Sequence, residues 1–112
     1  MKVFTKGVET MKQAEISARR FHVLSDPIRL RILLLLQAGE LCVGELAETL
    51  SLDQPKVSYH LKRMHDEGLI KRRNEYTWCY YSLVTDLRSW INQEIDNLLK
   101  AEPSYVSSRR GV

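Results

Sequence analysis

The chain has 112 residues, 44% hydrophobic and 28% charged, which is ordinary for one small water-soluble domain. Its net charge of +3 is too small to mark the whole chain as a polycation, and two cysteines without a CxxC pair exclude a disulfide framework and indicate a reducing, cytosolic setting. The N-terminal residues lack a signal-peptide pattern, and the longest apolar run, Ile32 to Leu36, is far too short to cross a membrane.

Residues 1–8 read as frayed. A first helix is expected from about Thr10 to Leu24, with Met11, Ala14, Ala18 and Phe21 as its apolar face. Asp26-Pro27 restarts the chain as an N-cap acid followed by proline at the first helical position. The second helix, Pro27 to Ala38, is nearly apolar all round beyond Arg31, which predicts a central, buried helix with Gly39 as its C-terminal cap. Leu41-Cys42-Val43 leads into a third helix, whose Val43, Leu46, Ala47 and Leu50 form one apolar stripe. Ser51-Leu52-Asp53-Gln54-Pro55 interrupts it. Asp53 suits an N-cap, and Pro55 suits a first turn because its missing N–H has no helical partner there. A fourth helix then buries Val57, Leu61 and Met64 and ends at Gly68.

The other side of this fourth helix carries Gln54, Lys56, Ser58, Tyr59, Lys62 and Arg63, short polar groups first and cations afterwards. Base edges need donors and acceptors near a helix N-terminus, and phosphates need cations at the flanks, so this is the layout of a helix lying in a DNA major groove. Residues 53–73 hold six cations (Lys56, Lys62, Arg63, Lys71, Arg72, Arg73) against three acids (Asp53, Asp66, Glu67), whereas residues 84–102 are net acidic. The cations therefore gather where phosphates would be met.

Leu69 to Arg73 and Thr77 to Leu83 read as two strands around an Asn74-Glu75 turn, making a hairpin wing. A final helix, about Val84 to Lys100, shows Leu87, Trp90, Ile91, Ile95, Leu98 and Leu99, and Glu102-Pro103 stops it before a loose tail. The expectation is one mainly α domain, residues 1–112, with the order α-α-α-α-β-β-α: a winged helix-turn-helix with an extra helix at each end. The outer stripes exceed the needs of a three-helix core. They predict a homodimer joined through the helices at about 10–24 and 84–100, whose two reading helices address half-sites about one DNA turn apart.

The run LSDPIRLRILLLLQAGELCVGELAETLSLDQPKVSYHL resembles the ArsR/SmtB family of metal-responsive repressors, and SDPIRLRIL, GELCVGEL and QPKVSYHL are most similar to its arsenic-responsive branch. The resemblance spans roughly residues 15–100. It implies a homodimeric winged helix that represses its own operon and is released by an inducer. Four departures stand out. The branch carries ELCVC, but here Gly44 follows Cys42 and Val43. Arsenite is normally held by three soft thiolates, which one cysteine per chain does not supply. The final helix has Asp86 but no histidine, which disfavours a zinc site there. The wing reads Glu75-Tyr76-Thr77 in place of the family's Glu-Gly-basic turn, and Ser58-Tyr59-His60 stands where Ser-Arg-His is usual, so a hydroxyl and a ring replace bidentate guanine readout.

Gln54, Lys56, Ser58 and Tyr59 are the candidates for base contacts, with Lys62, Arg63, Arg72 and Arg73 as phosphate clamps. His60 reads equally as a DNA contact or a buried, hydrogen-bonded residue. His22 and His65 read as structural or surface residues. Cys42 sits where the family binds soft metals. A thiophilic metalloid, an oxidant or reactive sulfur would suit it, and a constitutive repressor needs none, so no cofactor is required. Cys79 reads mainly as a packing residue, with a joint Cys42–Cys79 site dependent on the sulfurs approaching. Trp78, Tyr80, Tyr81 and Trp90 read as packing aromatics before a single-strand stacking platform. No nucleophile with its base and no phosphate loop points to an enzyme. The reading is a cytoplasmic, sequence-specific repressor of double-stranded DNA that recognises an imperfect palindrome. The competing reading is a winged-helix interaction module without an operator of its own.

Overall fold

The structure, a computed structural model, describes residues 2–101, with side chains from residue 11 onward. Among these residues the order is α1 (Lys2–Val23), α2 (Pro27–Leu36), β1 (Leu41–Cys42), α3 (Val43–Leu50), α4 (Gln54–Asp66), β2 (Ile70–Glu75), β3 (Trp78–Leu83) and α5 (Leu87–Lys100). This is the expected winged helix-turn-helix, with one element more: β1 joins the hairpin to give a sheet of order β1-β3-β2, all antiparallel.

The boundaries have local causes. Asp26 is extended, and its carboxylate accepts from the Ile28 and Arg29 N–H groups at 2.8 and 3.3 Å, which starts α2 at Pro27. Burial pushes the Asp26 carboxyl up, but these two N–H groups outweigh it and hold the group below its ordinary value. Ser51 ends α3 in the left-handed region at φ 56°. Asp53 occupies the N-cap position of α4, but its side chain makes no capping bond. Asp86 caps α5 by accepting from the Ser89 N–H at 2.9 Å, which moves the start of that helix from the expected Val84 to Leu87. At the other end, α1 begins at Lys2 rather than near Thr10. The tail expected after Pro103 lies outside the described residues.

The core gathers Ile32, Leu33 and Leu36 from α2, Leu46 and Ala47 from α3, and Val57, Leu61 and Met64 from α4, closed by Val23, Ile70 and Trp90. Burying each large aliphatic chain stabilises the fold by roughly 1.5–3 kcal/mol. Two expectations change. The second helix is not buried all round: Leu34 is 63% exposed, because the core covers only one of its sides. The α5 stripe divides in two. Leu87, Trp90 and Ile91 face the core, whereas Ile95 and Leu99 lie outside.

Candidate nucleic-acid interface

Helix α4 separates its residues by face. Val57, Leu61 and Met64 are fully buried, while Gln54, Lys56, Ser58, Tyr59 and Lys62 are exposed and Arg63 is half-buried. The buried spacing of four and three fixes the rotation of the helix, so the polar face has no freedom to turn inward. Tyr59 stands outward with its ring edge-to-face against His60, centroids 5.2 Å apart. Lys62 pairs with Asp66 at 3.1 Å, one helical turn on. Such an exposed pair is worth little, so the ammonium is free to exchange Asp66 for a phosphate.

His60 is a correction. Its side chain is only 6% exposed, and its Nδ1 accepts from Arg29 Nε at 3.2 Å beneath the helix. It lies three residues after Val57, on the buried stripe, and has no line to a groove. The sequence allowed this position; the buried cation beneath it was not anticipated, because Arg29 sits beside the exposed Arg31 in a largely apolar helix and nothing in the spacing marks it as the buried one of the two.

The wing sorts its cations by face. Directly paired residues of an antiparallel ladder share a face, and neighbours alternate. Arg72 pairs with Tyr81 in register, and both line a cleft of about 300 Å³ with Lys62, His65 and Asp66 of α4. Arg72 therefore extends the cationic face of α4 onto the hairpin. Arg73 pairs with Tyr80 and points the other way. It is ion-paired with Glu40 and Glu75, and its guanidinium lies 4.8 Å from the centre of the Tyr80 ring. Those partners hold Arg73 firmly charged and pull the Glu40 carboxyl below its ordinary value. Arg73 thus braces the wing against the segment before β1, instead of standing free beside Arg72. The turn also shifts. Tyr76-Thr77 forms the tip, with Tyr76 at φ 56° where the family pattern would put glycine.

The same alternation separates the cysteines. Cys42 pairs with Tyr80, so Cys79, one residue earlier, faces the opposite side of the sheet together with Tyr81. A joint Cys42–Cys79 site does not form within one protomer, and among the described residues no three His, Cys, Asp or Glu side chains converge as a metal site. Burial raises the Tyr81 phenol, and Cys79 beside it adds to the rise. Cys42 is buried at the N-cap of α3, where Glu45 accepts from its N–H at 2.9 Å. That bond, first, and the nearby Cys42 side chain hold the Glu45 carboxyl below its ordinary value. A Cβ at Gly44 would lie 3.6 Å from Gln54 Nε2 and 3.9 Å from Cys42 Sγ. The first residue of the reading helix and the buried sulfur therefore border the same small space, which no sequence spacing revealed.

Residues 26–72 match the family described as bacterial regulatory protein, arsR family. The chain is 38% identical over 88 residues to the arsenic resistance transcriptional regulator ArsR2 of Pseudomonas putida, covering 78% of this chain and 76% of that one. It is 37% identical over 89 residues to the arsenical resistance operon repressor of Escherichia coli, covering 79% and 76%. Among solved structures, NolR from Sinorhizobium fredii superposes with a TM-score of 0.68 at 31% identity, covering 80% of this chain and 90% of that chain. A homodimeric winged helix-turn-helix DNA-binding domain from Mycobacterium bovis does so with a TM-score of 0.63 at 27% identity, covering 80% and 86%. No helix among the described residues is long and apolar enough to cross a membrane. With a reading helix held outward, a cationic wing beside it and these relatives, the chain belongs to the ArsR family and is a winged helix-turn-helix, DNA-binding transcriptional repressor.

Proposed function

We propose that this repressor works in the cytoplasm as a homodimer on an imperfect palindrome, by binding and not by catalysis, with α4 of each protomer in successive major grooves. The observation that carries this reading is the outward face of α4, polar at its start and cationic further on, continued by Arg72 of the wing. Gln54, Lys56, Ser58 and Tyr59 meet base edges; Lys62, Arg63 and Arg72 meet phosphates. The dimer reading is supported by apolar surface left open on the outer helices: Met11 is 68% exposed and Leu99 63%, with Ala14, Ala18 and Ile95 also exposed. The M. bovis domain, whose fold this chain shares, is described as homodimeric.

The test separates base reading from phosphate binding. Replacing Ser58 and Tyr59 by alanine is expected to relax preference between operator and scrambled duplex by roughly 1–3 kcal/mol per lost base contact. Lys62→Ala is expected to weaken both duplexes alike and to lower the slope of log affinity against log salt by about one. Fluorescence anisotropy over a salt series reads both. Unchanged preference and unchanged slope would place the DNA face elsewhere.

For release, the reading is a thiol-reactive inducer, an arsenite-like metalloid, an oxidant or reactive sulfur, engaging Cys42. Its support is the shared border of Cys42 and Gln54 at Gly44: a ligand on the sulfur would press on the N-terminus of α4. Titrated separately onto the operator complex, arsenite or peroxide is expected to release the parent protein and to leave the Cys42→Ser variant bound. Equal release from both would remove Cys42 from the mechanism.

A further inference from the structure

Glu94 is a carboxylate inside the fold. It is 1% exposed and occupies a place on α5, four residues after Trp90, where an apolar side chain would continue the stripe. Ser17 Oγ donates to its Oε1 at 2.7 Å, and Arg20 Nη1 donates to its Oε2 at 2.8 Å. Gln13 Nε2 donates in turn to Ser17 Oγ at 3.0 Å. The remaining donors of the same guanidinium, Nε and Nη2, reach the carbonyl of Glu67 at 3.3 and 3.2 Å. Glu67 is the C-cap of α4. The Arg20 guanidinium also lies 5.4 Å from the centre of the Trp90 ring. Gly68 leaves the space for this reach: a Cβ there would stand 3.2 Å from Arg20 Nη2, and its φ of 75° suits glycine.

One side chain thus ties three helices. It leaves α1, pairs with α5 and holds the end of the reading helix. Core burial alone does not call for this, since apolar residues of similar volume commonly replace a buried ion pair without loss of stability. What the planar, forked guanidinium adds is direction. Apolar helix faces tolerate small slides and rotations, whereas three hydrogen bonds from one rigid group fix an angle.

We propose that Arg20 is a positioning residue for operator binding: it fixes α4 against the α1–α5 pair and so sets the half-site spacing that two copies accept. This rests on the homodimer reading above. The lever is long. From Glu67 to Gln54 the helix runs about 20 Å at 1.5 Å per residue, so a tilt of about 10° at Glu67 moves the reading end by about 3 Å. That is close to one base-pair step of about 3.4 Å.

The test uses the full chain and a duplex selected by the wild-type protein from a random-sequence pool. That duplex is rebuilt with its central spacer lengthened or shortened by one and two base pairs. Arg20→Lys keeps the charge facing Glu94 but has no fork to hold Glu67. It is expected to remain folded and dimeric while its preference for the selected spacer over the altered ones falls roughly 2- to 30-fold, the usual range for residues that couple sites without touching either ligand. Glu94→Gln, which loosens the same fork from the other side, is expected to flatten the profile in the same direction, and it supplies the reading if Arg20→Lys fails to fold. A purely structural role would lower Tm and leave the spacer ratios as they are. Dimeric, folded variants with wild-type ratios overturn the proposal. A wild-type protein that is monomeric on DNA, or indifferent to spacer, overturns the dimer reading and the proposal with it.

Discussion

Leu99→Glu is expected to convert the protein to a monomer and to lower operator affinity by at least about 100-fold, with little change in the thermal stability of the monomer. Leu99 stands outward on α5 one turn after Ile95, so in a single chain a carboxylate there is solvated and costs little. In a two-fold interface the same substitution enters twice and faces itself or its surroundings from both sides. Burying an unpaired carboxylate is prohibitive, so the interface opens instead. The loss on DNA then follows from bivalency, because two linked reading heads exceed one by roughly 10²- to 10⁴-fold. Light scattering after size exclusion reads the mass, and anisotropy reads the affinity. Leu34→Glu, at the exposed leucine of α2, is the informative comparison. If it dissociates the dimer as well, the seam extends from the terminal helices onto α2. A Leu99→Glu protein that stays dimeric would move the interface away from α5.

The elements that periodicity governs were legible in the sequence. Val57, Leu61 and Met64 define the inner face of α4 by spacing alone, and the structure buries all three. Asp26-Pro27 announces its helix start by local chemistry, and the cap bonds are there. What escaped the sequence was everything that depends on where separate segments meet. β1 has two residues, too few for any alternation to show, yet it decides which way Cys42 faces. The Arg73 expectation failed to anticipate its surroundings because neighbouring arginines look alike in sequence, and only the ladder register sends one toward α4 and the other toward Glu40. Glu94 and Arg29 carry charges that hydropathy assigns to the surface. Their burial is explained by partners that lie 74 and 31 residues away in the chain.

Acidification is expected to destabilise the seat of the reading helix in a window of its own. His60 Nδ1 accepts a hydrogen bond from Arg29, so that nitrogen must be unprotonated in the folded protein. Burial, chiefly, depresses the His60 pKa. Arg29 from α2 and Lys56 and Arg63 from α4 push the same way, and Asp26 opposes them. The unfolded chain, with a histidine pKa of about 6.5, therefore binds more proton than the folded one as pH falls. The contribution is complete above about pH 6.5 and is lost as pH falls through the lower, folded value. The depressed Asp26 carboxyl adds a second loss only in the more acid range, below its ordinary value of 3.8. Arg29→Met separates these effects. At pH 7.5 it is expected to cost about 1–3 kcal/mol, because Arg29 is buried and its hydrogen bonds to His60 and to the Val23 carbonyl are lost. Removing the facing cation also makes a charged His60 less costly, so the variant is expected to lose less additional stability than the parent between pH 7 and pH 5. Urea unfolding of both proteins across that interval reads the difference. Parallel curves would mean that the Arg29–His60 contact is not the acid-sensitive element. A steeper curve for the parent would identify the Arg29–His60 contact beneath α4 as the acid-sensitive element.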